Sequence, residues 1–184
     1  TIDGRENGVP AGTPYSLTFQ NISDATTAGT STIRLINGAT DNTIRYTRIE
    51  GSNRSTTSGV VFLSTSTSPS GNNNNIIANN RITNASGNRP YNAIYSAGTT
   101  SSPNEDNTVR GNEIFDFLHP SVSSQGIMLA GNTSDWTIQG NHFYETTNFS
   151  PSTASTYSII YLNNTNNNGS AIRGNYIGGD AIQA

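Results

Sequence analysis

The segment "NTIRYTRIEG" at 42–51 returns four times along the chain: "NIIANNRITN" at 75–84, "NTVRGNEIFD" at 107–116, "WTIQGNHFYE" at 136–145 and "SAIRGNYIGG" at 170–179. Two apolar columns survive in every copy. The first holds Ile44, Ile77, Val109, Ile138 and Ile172; the second, five residues on, holds Ile49, Ile82, Ile114, Phe143 and Ile177. Successive copies start 33, 32, 29 and 34 residues apart. A period in that range marks a repeat architecture, in which each unit buries its apolar face only by stacking on its neighbours.

The units are not helical. Apolar and polar residues alternate with period two in short β-branched runs, separated by stretches rich in Gly, Pro, Asn and Ser. No amphipathic helix of ten or more residues fits anywhere. A third strand follows each phrase: "GVVFL" at 59, "NAIYS" at 92, "GIMLA" at 126 and "SIIYL" at 158, with "TIRLI" at 32 as the third strand of an earlier rung. "SLTFQNI" at 16 is expected to supply that rung's first two strands, and "TIDG" and "DAIQA" to be third strands at either end. Three strands per turn, stacked in parallel, predict an all-β right-handed parallel β-helix with a single domain over 1–184. About six rungs at ~4.8 Å each would span about 29 Å.

Between the two apolar columns stand Thr47, Asn80, Asn112, Asn141 and Asn175. Asparagine tolerates the left-handed backbone of a sharp bend, and its amide can bond to the asparagines above and below. Asn80, Asn112, Asn141 and Asn175 are therefore expected to form a ladder, broken toward the N-terminus by Thr47 and by Gln20. Three residues before the first apolar column, Asp41, Asn74, Asp106, Asp135 and Gly169 suit Asx-turns that lead into a strand.

Composition fits a narrow core with most side chains facing out. Asn, Ser and Thr number 74 of 184 residues, while 11% of residues are charged. All nine cationic residues are Arg, net charge is −3, and no stretch is basic, so a nucleic-acid footprint is missing. No apolar run reaches the roughly 18–20 residues of a membrane span. Cysteine is absent, which removes disulfides and thiolate metal sites. Asn-x-Ser/Thr sequons occur at Asn21, Asn53, Asn84, Asn132, Asn148, Asn163 and Asn168, as chance allows in such a composition. Opening at Thr1 with neither initiator Met nor leader, the sequence reads as a mature product or a fragment.

The succession "TIDG", "STIRLINGATDNTIRYTRIEGSN", "SGVVFLS", "NAIYSAG", "WTIQGNHFYET" and "YIGG" resembles the Asn/Ser/Thr-rich β-helix repeats of very large bacterial surface proteins, with the pectate-lyase-like superfamily fold. The resemblance covers essentially the whole chain. It implies secretion to the cell surface and a structural or adhesive module. In that family the solenoid usually runs on after "YIGG", whereas this sequence stops at Ala184.

The fold also hosts polysaccharide lyases and hydrolases, but fold alone does not imply activity. The clustered acids and Arg base of pectate-lyase-like members are missing, as are the Asn-Thr-Asp, Asp-pair, Gly-His and Arg-Ile-Lys segments of polygalacturonase-like members. "RIE" at 48 and "RIT" at 81 come nearest to the last of these. Asp106 and Asp135, on neighbouring rungs, approximate the carboxylate pair of a glycosidase or, with loop carbonyls, a Ca²⁺ site. Turn capping explains them better. His119 and His142 have no partner at metal-ligand spacing, and neither a metal nor a cofactor is expected. An outward stripe of Arg45, Ala78, Arg110, Gln139 and Arg173, with Tyr144 and Tyr176 nearby, would suit acidic sugars or a solvated face. The column Thr43, Ile76, Thr108, Thr137 and Ala171 is too interrupted for a flat ice-binding row.

With no capping helix in view, both ends of the stack are expected to be open, covered by other copies stacked end to end or by a longer chain. The leading expectation is a non-enzymatic building block of an extracellular filament or a large bacterial surface protein. The alternative is a carbohydrate-binding or carbohydrate-cleaving module, an adhesin or polysaccharide lyase, acting on cell-surface polysaccharide. It would use a groove at the loops 116–125 and 145–157, for which the sequence offers no convergent acids.

Overall fold

Most strands here are two to six residues long, with β-branched or aromatic side chains pointing inward between polar neighbours, as an extended chain with one buried face requires. The computed structural model describes residues 1–27, 29–164 and 169–179, and in it these strands stack into three parallel sheets. The first contains Ile2–Asp3, Thr43–Arg45, Ile76–Ala78, Thr108–Arg110, Thr137–Gln139 and Ala171–Arg173. The second contains Thr18–Asn21, Arg48–Gly51, Arg81–Asn84, Glu113–Phe115, His142–Tyr144 and Tyr176–Ile177. The third contains Ile33–Leu35, Val61–Leu63, Asn92–Ser96, Ser124–Leu129 and Tyr157–Leu162. One strand from each makes a turn, giving a parallel β-solenoid of about five turns rather than the six expected. "DAIQA" lies outside the described residues.

Register follows the repeat. Ile44, Ile77, Val109, Ile138 and Ile172 are successive partners in the first sheet. Ile49, Ile82, Ile114, Phe143 and Ile177 are partners in the second, and Val61, Ile94, Ile127 and Ile160 in the third. These columns meet in one core, which Trp136, Phe117 and Phe143 fill toward the C-terminal half. A fully buried Ile or Phe contributes roughly 1.5–3 kcal/mol, and each obtains that burial only because the next turn covers it.

The first turn departs from expectation. "TIDG" is a first-sheet strand, since Ile2 pairs with Ile44 and Asp3 with Arg45. "SLTFQNI" supplies one strand, with Phe19 against Ile49. Gln20 is not on the ladder; it lies opposite Glu50 and donates to its carboxylate at 2.5 Å. An insertion from 5 to 17, carrying the short 3₁₀ segment Glu6–Gly8, replaces the tight bend found in later turns. The order of elements misled the sequence reading here because the insertion separates two strands that elsewhere lie two residues apart. A two-strand sheet of Asn104–Glu105 and Thr133–Ser134 was also not anticipated.

Between the first and second sheets, one residue per turn takes left-handed backbone: Tyr46, Asn79, Gly111, Gly140 and Gly174, with φ from 54° to 62°. The left-handed residue is thus the one before each ladder position, not the asparagine itself. Before the first sheet the same device recurs at Asp41, Asn74, Asp106, Asp135 and Gly169, with φ from 56° to 77°. The Asx-turn column is therefore a second left-handed column, occupied by the residue types that accept this conformation most readily.

Candidate functional site

The bends place a polar residue inside the solenoid, where its hydrogen bonds must be met by protein. Asn80, Asn112 and Asn141 are wholly buried. Asn112 Oδ1 accepts from the backbone N–H and side-chain amide of Asn80 at 2.9 and 3.1 Å. Asn141 Oδ1 accepts the same pair from Asn112 at 3.0 and 2.9 Å, and Asn175 Oδ1 from Asn141 at 2.9 and 3.0 Å. Thr47 ends the series by donating its N–H and hydroxyl to Asn80 Oδ1 at 3.0 and 2.9 Å.

Two shorter ladders were missed. Asn42 donates to Asn75 Oδ1, and Asn75 to Asn107 Oδ1, from backbone and side chain at 2.9–3.1 Å. Asn72 bonds to Asn104 in the same way at 2.9 and 3.2 Å. Their signal was the Asn-x-x-Asn spacing of 72–75 and 104–107, set two turns in a row before the first-sheet strand. The next member of the Asn75 column is Trp136, whose buried indole N–H donates to Asn104 O at 3.0 Å.

Charged side chains also cluster outside the core, Asp3 with Arg5 and Arg45 among them, and two further clusters are larger. In one, Glu113 accepts from Arg81 Nε at 3.2 Å to each oxygen, from Tyr144 Oη at 2.9 Å and from Tyr15 Oη at 3.5 Å. Tyr15 comes from the first-turn insertion and lies under the Arg81 guanidinium at 4.5 Å. Burial, and then the Glu113 carboxylate, hold the Tyr144 and Tyr15 phenols above their ordinary range. Tyr144 stacks on Phe115 at 5.1 Å and Tyr176 on His142 at 4.6 Å, so these rings pair with second-sheet neighbours instead of flanking an Arg stripe.

In the other cluster, Arg89 bridges Asp116 and Glu145, which lie at the roots of the loops 116–125 and 145–157. Acids do converge here, contrary to expectation. Their oxygens are directed to protein donors: Asp116 accepts from Thr146 N–H at 2.9 Å and its hydroxyl at 2.7 Å, and Glu145 from Leu118 N–H at 3.2 Å. Burial pushes the Glu145 carboxyl above the usual carboxylate range despite Arg89. Phe149 covers Arg89 at 5.7 Å. An open cleft of about 650 Å³ lies beside it, lined by Glu145, Thr146, Thr147, Asn148, Phe149 and Gly179.

Other sequence candidates separate. Asp106 and Asp135 sit at left-handed bends, and the Asp135 carboxylate lies over Gly169, where an added Cβ would fall 1.8 Å from Oδ1. The outward Arg stripe is interrupted: Arg45 pairs with Asp3 at 2.9 Å, Ala78 is buried, and Arg173 donates to Gln139 at 2.9 Å. His119 packs edge-on against Tyr91, and burial, then Arg54 and Arg89, lower its pKa. Asn53, one of the sequons, is buried with its amide bonded to Thr30 O and its Oδ1 to Ser55 N–H. Among the described residues, no group of three or more His, Asp or Glu side chains is placed to hold a metal ion, and no helix is long and apolar enough to cross a membrane.

Comparison of the chain with protein-family models, with curated proteins and with solved structures finds no match.

Proposed function

We propose that this chain is a non-enzymatic structural element, a rigid run of turns within a longer β-helical rod or filament on the outside of a bacterial cell. One observation carries the reading: the columns that are buried in the middle turns are exposed at the last one. Ile138 and Phe143 are 0% and 1% exposed, while their partners Ile172 and Ile177 are 46% and 63% exposed. At the first turn Ile2 and Leu17 are each 38% exposed. Such faces gain stability from a further turn by the same apolar burial that joins the inner turns. The likeness to repeats of large secreted surface proteins supports the extracellular setting.

Negative-stain electron microscopy of the native material tests this. Rods or fibres with a uniform solenoid cross-section are expected in material taken from the cell surface, and dispersed compact particles of the chain's own mass there would sink the reading; the isolated chain is not required to self-associate.

A second reading, a carbohydrate-binding module, draws support from the cleft beside Phe149 and Arg89. The carboxylates beneath it already accept from Arg89, Thr146 and Leu118, which favours binding over cleavage. A screen against acidic polysaccharides separates the two: saturable binding lost in Phe149→Ala would favour this reading, and its absence would leave the structural one.

A further inference from the structure

The principal ladder has a direction. Each ladder residue gives its backbone N–H and one side-chain hydrogen to the oxygen of the residue in the following turn. The second amide hydrogen of each asparagine goes backward, to a first-sheet carbonyl of the preceding turn: Asn112 to Ile77 O at 2.9 Å, Asn141 to Val109 O and Asn175 to Ile138 O at 3.0 Å. A turn must therefore present an acceptor to the turn before it and donors to the turn after it.

Asn175 has met its backward obligations. Among the described residues, nothing accepts from its backbone N–H or its remaining amide hydrogen. Beside it Ile172 and Ile177 stand uncovered in the core columns.

The chain's own first turn does not supply the missing acceptor. Its ladder position is identified by the backbone: Arg48 N–H donates to Leu17 O at 3.0 Å, as Arg81 does to Thr47 O and Glu113 to Asn80 O at 2.9 Å. The residue at that position is Leu17, which has no side-chain oxygen. Head-to-tail stacking of two copies would match apolar columns, Ile172 to Ile2 and Ile177 to Phe19. It would also press the two Asn175 donors against an apolar side chain, and burying donors unpaired is costly.

From this directionality we infer that the C-terminal face of the stack docks a turn of this same repeat that carries asparagine at the ladder position, and that the chain's own first turn is not its partner. The inference rests on the structural reading above and narrows it, selecting continuation by a different ladder-bearing turn over a filament of identical copies.

The test uses the full chain, with sedimentation velocity for self-association and NMR for docking. The probes are the peptide of residues 136–145 and the same peptide with Asn141→Leu. The expected result is a monomeric chain whose Asn175 backbone and side-chain amides shift with the asparagine peptide, and about tenfold weaker binding of the leucine peptide, as for one lost acceptor. Head-to-tail rods of the chain alone, or equal binding of the two peptides, would overturn the inference and leave the structural reading standing. If neither peptide moves Asn175 and no rods form, both fall.

Discussion

Asn141 Oδ1 accepts both the backbone N–H and the side-chain amide of Asn112, at 3.0 and 2.9 Å, in a site where both residues are wholly buried. One oxygen thus satisfies two donors of the turn before, while the Asn141 amide satisfies a carbonyl of that turn, Val109 O at 3.0 Å. Asn141→Leu keeps the branched shape and removes these three bonds together with the amide's donation to Asn175 Oδ1 at 3.0 Å. Leaving a buried group unsatisfied costs about 1–3 kcal/mol, so a loss of roughly 3–5 kcal/mol is expected in urea melts. Thr47→Ala, at the end of the ladder, removes only one side-chain donor, and about 1 kcal/mol is expected there. Equal losses at the two positions would show that the ladder does not concentrate stability in the middle turns.

Much of this was legible in the sequence, and for a physical reason. A stacked turn repeats its environment, so Ile44, Ile77, Val109 and Ile138 face the same demand and are written alike. The bend residues were harder to place, because Tyr46, Asn79 and Gly111 meet one backbone requirement with three different side chains. The first turn was misread because its insertion hides Leu17 at a position where later turns carry Thr or Asn. The Arg89 cluster was invisible for a different reason. Asp116 and Glu145 do share the last column of the repeated segment, but Gly51, Asn84 and Gly179 hold it elsewhere and Arg89 comes from a loop that does not repeat, so no periodicity marks their convergence.

Glycines separate two costs. Gly140 has φ 62° and open space around an added Cβ, so Gly140→Ala pays only the left-handed backbone penalty of about 1–2 kcal/mol. An added Cβ on Gly71 would lie 1.6 Å from Pro103 O, which requires the backbone of the next turn to move. Gly71→Ala is expected to cost about 3 kcal/mol or more. Chemical denaturation of the two variants checks the order, and a reversed order would place the strain elsewhere.

Trp136, the single tryptophan, is fully buried and anchors the fourth and fifth turns through its bond to Asn104 O. Its emission should be that of an apolar site and shift red in one step with the circular dichroism on unfolding. Trp136→Ala leaves a large void and should cost about 3–5 kcal/mol. A red emission maximum in the folded protein would contradict the burial.

Arg89 holds two acids that are only 12% and 14% exposed. Removing one partner of a buried pair costs roughly 3–5 kcal/mol, and the residual exposure places Arg89→Ala near the lower bound. Glu145 already sits above its ordinary value, so its contribution is greatest with the proton on and declines as pH rises through the folded value. Without Arg89 that value climbs further. The deficit of Arg89→Ala should accordingly be larger at neutral pH than at about pH 4. Urea melts at both pH values decide it, and limited proteolysis of 145–157 should quicken in the variant. By contrast Arg54–Asp24, at 3.6 Å and largely exposed, is worth under about 1 kcal/mol.

The tyrosines give the alkaline counterpart. Burial raises Tyr144, Tyr15 and Tyr95, with Glu113 adding to the first two. A phenol whose folded pKa lies above its unfolded value of 10.0 contributes stability that is complete below that value. It is lost as pH rises through the folded one. In a titration followed by absorbance of the phenolate, these three of the eight tyrosines should ionise last, together with loss of the native circular dichroism. Glu113→Gln removes the charge that opposes ionisation of Tyr15 and Tyr144 and should bring both down, while Tyr95, on the third sheet, stays where it was. A uniform downward shift of all three in that variant would mean that general loosening of the solenoid, and not the Glu113 carboxylate, sets the two phenols apart.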